Sequence, residues 1–353
     1  QYTGRGFIKH DGMTEVAIVI LNYNGRRFLD QFLPSVIAHS GSASIVVADN
    51  GSTDGSVTFL KERFPFVQII ASEMNRGFCG GYNFALRQVQ ATYYVLLNSD
   101  VEVTPGWLHP IIELFKTNPR LGAAQPKILS YRNKRYFEYA GAGGGLIDGL
   151  GYPFCRGRIF NSLEEDQGQY DDTRPIFWAT GACHFVRADL YHQLGGLDED
   201  YFAHMEEIDF CWRLQRAGYE VYYQGTSTVY HVGGGTLSSL SPKKTYYNFR
   251  NCLSMITKHM PWTELVWKLP VRLMLDWVAA LKFLVQPSPA DAWAVVMAHF
   301  YFFTHVRAEW RKRSVLNQTL QGFDTTFQRY PHFIVIDYFL LRNTFYTNLR
   351  NPR

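Results

Sequence analysis

Several acids of this chain stand where carboxylates can do chemistry. The run Tyr93-Tyr94-Val95-Leu96-Leu97-Asn98-Ser99-Asp100 is apolar and stops abruptly on an acid. Ligands of open α/β sheets collect at the carboxyl ends of strands, so Asp100 stands where a divalent metal or a diphosphate would sit. The pattern also occurs upstream, where Ile45-Val46-Val47-Ala48 leads into Asp49 and a Ser-, Gly- and Asn-rich loop that reaches Asp54. An Asp at that strand end can accept from the imide N–H of a pyrimidine, whereas Asp54, directly before a helix, equally reads as an Asx-turn and cap. Downstream, Glu206, Glu207 and Asp209 crowd the start of a helix. Asp209 is best read as pairing with Arg213 one turn later, which leaves either glutamate free to act as a general base in a cleft. His231 closes the run Ser227-Thr228-Val229-Tyr230. Beside Asp100 it would complete an oxygen-and-imidazole metal site.

The elements that must position these groups follow from periodicity. Strands are expected at 15–22, 44–48, 67–71 and 93–97, with helices at 27–39 and 55–63 and a third running to Val89. Strands alternating with short helices build a mostly parallel sheet with helices on its faces, an α/β fold of nucleotide-binding type. The segment from Asn75 to Asn83, with Gly77, Gly80 and Gly81, reads as a Gly-rich loop opening a helix and able to lie along a diphosphate; no Gly-Lys-Ser/Thr follows, so it is not a Walker A loop. From Gly141 to Asp172 the pattern dissolves, and a mobile loop over a site or a surface linker is expected. A helix at 206–217 ends at Gly218, and strands at 220–223 and 227–231 follow.

The chain has 353 residues and a net charge of +4. From Ser241 onward fifteen Lys and Arg stand against six Asp and Glu, joining a mildly acidic catalytic portion to a basic, aromatic tail. No nucleic-acid partner is expected. Five scattered cysteines argue for a reducing compartment and against a disulfide framework or zinc ribbon. Residues 1–12 read as a leader or remnant outside the fold, without a signal-peptide core, and no segment has the twenty or so apolar residues of a membrane span.

Taken in order, LNYNG, VADNGSTDGS, NRGFCGGYN, LLNSD, ATGACHFVRADL, GGLDEDYFAHMEEIDFCWRLQRAGY and VYHVGG resemble glycosyltransferase family 2, the inverting enzymes of GT-A fold, over roughly Val16 to Gly235. The nearest variety is similar to bacterial rhamnosyltransferases that decorate cell-surface polysaccharides. The resemblance implies that Asp49 holds the nucleotide base with Asn22 and Tyr23 lining its pocket, while Asp54 supports that loop. Asn75, Gly77, Gly81 and Asn83 would complete the donor side. Asn98-Ser99-Asp100 stands where the family has its Asp-x-Asp motif, so Asp100 would be the retained ligand of Mg2+ or Mn2+, with His231 approaching the metal and diphosphate. Glu207 is implied as the base and Glu206 as its competitor. Trp178, Gly181 and Ala182 would flank the acceptor. The expected domains are a catalytic unit over 13–240, divided near residue 103 into nucleotide and acceptor halves, and a helical extension over 241–353.

In that extension Arg272, Asp276 and Lys282 share a narrow arc at helical spacing and leave a wide face of Leu, Trp, Val and Phe. A second apolar, aromatic segment at 290–306 runs into Arg307 and Arg311-Lys312-Arg313. Such faces suit helices lying in an anionic membrane surface, or a helical subdomain or homo-oligomer interface buried against protein. The whole reads as a cytoplasmic enzyme, peripheral on the inner face of the membrane, that moves a sugar from a UDP- or dTDP-linked donor, such as dTDP-rhamnose, to a growing glycan or lipid-linked saccharide. The alternatives are a nucleotidylyltransferase, which needs an Arg-containing phosphate loop after the first strand, and a non-catalytic nucleotide-sugar scaffold on the membrane.

Overall fold

The computed structural model describes residues 14–139, 141–233, 241–286, 288–320, 325 and 327–350, so the expected leader at 1–12 lies outside the described residues. The first third alternates as expected: β1 (Thr14–Asn22), α1 (Arg26–His39), β2 (Ser44–Asn50), α2 (Ser56–Arg63), β3 (Gln68–Ser72), α3 (Gly77–Leu86) and β4 (Ala91–Asn98). β1 pairs in parallel with β2 and with β4, which aligns Asn22 with Asp49 and Leu21 with Asn98. Polar groups that are far apart in sequence therefore share one rim. The strand interiors are continuous apolar runs because both faces are covered: Ala17 and Val19 belong to one core, Val16, Ile18 and Ile20 to the other.

The chain continues through β5 (Val101–Val103), α4 (His109–Thr117), β6 (Leu121–Ser130), β7 (Gly145–Ile147), β8 (Pro153–Cys155), β9 (Arg158–Ile159), β10 (Ser162–Leu163), β11 (Thr173–Ile176), β12 (Cys183–Arg187), α5 (Ala188–Gln193), α6 (Glu206–Arg216) and β13 (Glu220–His231). β12 inserts antiparallel between β4 and β6, and the nine-stranded sheet runs β11-β13-β6-β12-β4-β1-β2-β3, with β5 on β13. The two strands expected at 220–231 are one. β13 starts parallel to β6, shifts register between Gln224 and Thr228, and pairs antiparallel with β5 so that His231 faces Val101. That irregularity carries His231 to the residue after Asp100.

The expected loop from Gly141 to Asp172 is instead largely ordered: β7 to β10 form a second, four-stranded antiparallel sheet. Its strands, of two or three residues each, are too short to show period-two alternation, yet Leu146, Ile147, Phe154 and Cys155 are buried in the main core. The tail is helical, with α7 (Pro242–His259), α8 (Trp262–Val285), α9 (Pro289–Thr319) and α10 (Ile334–Phe339). It is fastened to the small sheet where Ile334 N donates to Asp148 Oδ2 at 2.9 Å. No described helix is long and apolar enough to cross a membrane.

The polarity of α8 is the reverse of that of a surface helix in water. Arg272 and Asp276, from the expected narrow polar arc, are 2% and 0% exposed. Arg272 lies over the Tyr152 ring, 3.5 Å from its centroid, and Asp276 is 3.2 Å from His299 Nε2 on α9. The apolar face looks outward instead, with Leu281 61%, Val285 87% and Trp293 of α9 63% exposed.

The firmest tie between tail and catalytic portion is Asp209. Fully buried on α6, it receives Arg213 Nε at 3.0 Å, Tyr201 OH at 3.2 Å, and from α7 Lys258 Nζ at 2.7 Å and His259 Nε2 at 2.9 Å. Burial opposes its charge, but Lys258 and Arg213 outweigh that and hold the carboxyl well below the usual range. Removing one partner of such a network leaves buried cations uncompensated. Asp209→Ala is expected to lower unfolding free energy by about 3–5 kcal/mol in urea titration; a loss below about 1 kcal/mol would show that the network does not hold the tail.

Candidate active site

At the carboxyl ends of β1 and β2, Asn22 Nδ2 donates to Asp49 Oδ1 at 2.9 Å and to Ser52 Oγ at 3.1 Å, while Ser52 N donates to Asp49 Oδ2 at 3.0 Å. Asp49 is thus held from both sides in a fixed orientation, with lone pairs remaining on each oxygen. Tyr23 stands exposed beside it. Asp54 points the other way: it accepts from Arg26 N at 2.9 Å and from Ser56 N at 3.1 Å, joining the starts of α1 and α2. It braces the loop and does not line the rim.

Across the rim, the Asp100 carboxylate and His231 imidazole meet with Oδ1 and Nε2 3.1 Å apart. His231 Nδ1 lies 3.2 Å from Glu138 Oε2, and Asn98 Nδ2 is 3.4 Å from His231 Nε2. Burial opposes a charge on His231, but Asp100 and Glu138 outweigh it and raise the imidazole to about 10. The donor set, one carboxylate and one imidazole backed by a second carboxylate, fits a divalent cation once the ring gives up its Nε2 proton in exchange for the ion: Glu138 holding Nδ1 would leave Nε2 and Asp100 to face it. Among the described residues no group of three His, Cys, Asp or Glu is arranged to hold a metal. Two protein ligands would therefore leave the remaining positions to phosphate oxygens and water, as suits Mg2+ or Mn2+ beside a diphosphate.

The third component is the start of α6. Glu206 is buried and Glu207 half-buried, and one carboxylate oxygen of each, Oε2, is buried with no hydrogen-bond partner. Burial raises Glu207 to about 7 and lifts Glu206 well above the usual carboxylate range, the neighbouring Glu207 charge adding to the effect on Glu206. An alanine Cβ at Gly181 would lie 3.8 Å from Glu206 Oε1, which places the Thr180-Gly181-Ala182 turn against this pair. The same turn reaches the rim, because Asn98 N donates to Ala182 O at 3.0 Å.

The backbone entering α6 is strained: Phe202, His204 and Met205 have φ of 62°, 70° and 71°. Such conformations persist only where neighbours impose them, and they cluster at functional sites. The neighbours come from two directions. Phe78 N, at 2.7 Å, and Cys79 N, at 3.3 Å, both donate to Phe202 O. From α7, Asn251 Nδ2 donates to Tyr201 O, Ala203 O and His204 O, while Arg250 Nη2 donates to Asp200 O and Tyr201 O.

This clamp corrects the expected phosphate loop. Gly77, Gly80 and Gly81 are inside α3, whose first amides are already taken: Gly77 N donates to Asn75 Oδ1, and Phe78 and Cys79 to Phe202 O. At Gly77, with φ +72°, a Cβ would stand 2.5 Å from the Phe202 ring, and at Gly81 2.7 Å from Leu21 Cδ1. These glycines serve helix docking and leave no anion cradle. Asn83 is also withdrawn from the donor, since its amide bonds Leu197 O, Leu197 N and Tyr191 OH inside the core. Trp178 is likewise a core residue: its Nε1 donates to Leu146 O at 2.8 Å and its ring covers Gly145. Of the three residues expected at the acceptor, Gly181 lies against the Glu206 carboxylate, and Ala182 acts through its carbonyl.

Residues 17–195 match the family described as glycosyl transferase family 2, just over half of the chain. The chain belongs to that family. Among curated proteins it is similar to the N-acetylglucosaminyl-diphospho-decaprenol L-rhamnosyltransferase of Mycobacterium tuberculosis, 27% identical over 289 residues covering 76% of this chain and 92% of the relative. A low-salt glycan biosynthesis hexosyltransferase of Haloferax volcanii is 22% identical over 68% of this chain and 74% of its own. Two solved structures share the fold at 14% identity. GalNAc-T7 with UDP, GalNAc and Mn2+ matches with a TM-score of 0.53 over 70% of this chain and 48% of that one. A mannosyltransferase of Pyrobaculum calidifontis with GDP-Man and Mn2+ matches with a TM-score of 0.50 over 88% and 86%. The architecture is therefore the GT-A fold of glycosyltransferases.

Within this family 2 chain, the motif segments do not reveal Glu138, Arg250 or Asn251. Glu138 follows an irregular stretch, and Phe202 acts through its carbonyl, which no side-chain pattern encodes. Asn251 had a readable signal, since a polar residue in the apolar stretch of α7 must find buried partners. The carboxylate pair generates a test. Whichever glutamate takes a proton must first lose its own, and the two titrate as a coupled unit. Turnover is therefore expected to rise with pH through about 7 and then level off; a profile already flat well below neutrality would show that no such carboxylate is involved.

Proposed function

We propose that this family 2 glycosyltransferase moves a sugar, with inversion, from a UDP- or dTDP-linked donor to a hydroxyl of a lipid-linked saccharide. The observation that carries the reading is the pair of carboxylates at α6, unpaired and raised by burial, opposite a rim where Asp49 and the Asp100–His231 pair stand ready for a base and a diphosphate. A nucleotidylyltransferase has no use for a base pair on that side, and a scaffold without turnover has no use for strain at Phe202, His204 and Met205.

Asp49, oriented by Asn22, accepts from the imide of uracil or thymine, with Tyr23 against the ring. Asp100 and His231 would hold Mg2+ or Mn2+ over the diphosphate, where a divalent cation stabilises the charge that grows as the glycosidic bond to phosphate breaks. Glu207, the more open of the two glutamates, removes the proton from the acceptor hydroxyl as its oxygen attacks the anomeric carbon from the face opposite the leaving group. Burial keeps the base near neutrality, and its charge in turn raises Glu206, which is closed in against Gly181. Similarity to the mycobacterial N-acetylglucosaminyl-diphospho-decaprenol L-rhamnosyltransferase favours dTDP-rhamnose as donor and a polyprenyl diphosphate saccharide as acceptor. Glu207→Gln is expected to keep donor affinity while reducing kcat by about 10²–10⁴. Transfer by that variant at near the parent rate would move the base to Glu206.

The outward apolar face of α8 and α9 supports work at a lipid surface, on the cytoplasmic side where nucleotide sugars are made. Lys282, Arg307 and Arg311 stand exposed along it and suit anionic headgroups. The chain is expected to sediment with anionic vesicles at low salt, and Trp277→Asp with Leu284→Asp to abolish this. If the parent chain stays in the supernatant, the face belongs to a second copy or another protein.

A further inference from the structure

We propose that Lys243 and Lys244, on the first turn of α7, bind the diphosphate of a polyprenyl-linked acceptor and hold it between the lipid surface and the catalytic carboxylates; this rests on the acceptor class proposed above.

Most cations of the tail that face the catalytic portion are already matched. Lys258 pairs with Asp198 and Asp209, Lys312 with Asp198 and Asp200, and Lys268 with Glu264. Lys243 and Lys244 have no carboxylate within ion-pair distance among the described residues, and both ammonium groups lie over aromatic rings. The Lys243 ammonium is 5.5 Å from the Phe202 centroid and 5.9 Å from that of Tyr247, and Lys244 is 4.9 Å from that of Tyr139. Ring faces hold a cation in place without neutralising it.

Their position joins the two regions that a lipid-linked acceptor must reach together. On one side are the catalytic parts: Phe202 belongs to the strained entry to α6, Tyr139 follows Glu138, and His204, whose Nε2 is buried without a hydrogen-bond partner, lies within the field of Lys244. On the other side is the tip of the α8–α9 hairpin. Thr245 Oγ1 donates to Asp291 Oδ1 at 2.6 Å. That tip carries Leu284, Val285 and Trp293, all strongly exposed. A prenyl chain against the tip would put its diphosphate at the two ammonium groups and the attached sugar toward Glu206 and Glu207. The donor diphosphate has its own place at Asp100 and His231.

The test is equilibrium binding to the full chain, read by tryptophan fluorescence, with farnesyl diphosphate as the probe and farnesol, UDP and dTDP as comparisons. Lys243→Gln with Lys244→Gln is expected to weaken farnesyl diphosphate by about tenfold or more while leaving farnesol and both nucleotides unchanged. Lys243→Arg with Lys244→Arg, which keeps both charges, is expected to bind as the parent does. Unchanged farnesyl diphosphate binding by the glutamine variant overturns the subsite. An equal loss of UDP and dTDP overturns it in favour of a donor contact. A parent chain that binds UDP or dTDP but not farnesyl diphosphate overturns instead the lipid-diphosphate acceptor on which the subsite rests.

Discussion

The carbonyl of Phe202 is the point on which the site depends. Two amides from the start of α3 converge on it, and the carbonyls around it are gripped by Arg250 and Asn251 from α7. Left-handed backbone at Phe202, His204 and Met205 disfavours itself by about 1–3 kcal/mol per residue, so without these hydrogen bonds the segment would relax. Relaxation would turn the first residues of α6, and with them both glutamates. The clamp takes one element from the nucleotide half and one from the tail, which makes the tail part of the catalytic architecture. Asp209 repeats the arrangement one turn further along α6, receiving Lys258 and His259 from the same helix α7.

The fold keeps the carboxylates of these segments in two opposite conditions. Asp100 is buried, but His231 beside it more than offsets the cost of burial and keeps it ionised. Glu206, buried, and Glu207, half-buried, have no cation in hydrogen-bonding contact and are pushed toward neutrality. Groups whose surroundings drive their proton affinities apart can hold different tasks at one pH, fixed charge at one end and proton exchange at the other. The opposition is built by topology, since the β13 irregularity delivers His231 to Asp100 while the α7 cations go to Asp209 instead of the neighbouring glutamates.

What the sequence made legible was what repeats along it. β-branched runs interrupted by amphipathic helices gave the parallel half of the sheet almost residue by residue, and strand ends pointed to Asp49 and Asp100, to which the family resemblance added Asn22 and Asn98. Where one residue type serves two physical purposes, reading from sequence failed. Glycines before a helix permit an anion to approach or permit a ring to pack, and Gly77 and Gly81 do the second, for Phe202 and Leu21. An aromatic before a Gly turn can meet a sugar or fill a core, and Trp178 fills the core over Gly145. The small sheet of β7 to β10 was hidden because two- and three-residue strands are too short to display a period.

α8 illustrates a different kind of concealment. A helical-wheel projection of its sequence shows a polar arc and an apolar arc, and it is silent about which of them is turned inward. That choice is made by groups elsewhere, chiefly the Tyr152 ring that covers Arg272 and the His299 imidazole that meets Asp276. Spun half a revolution about its axis, the same helix would present a soluble, charged exterior with no change in composition. Its azimuth is therefore inherited from its docking partners, and substitutions at Tyr152 or His299, far from the outer surface, are positioned to alter what that surface displays.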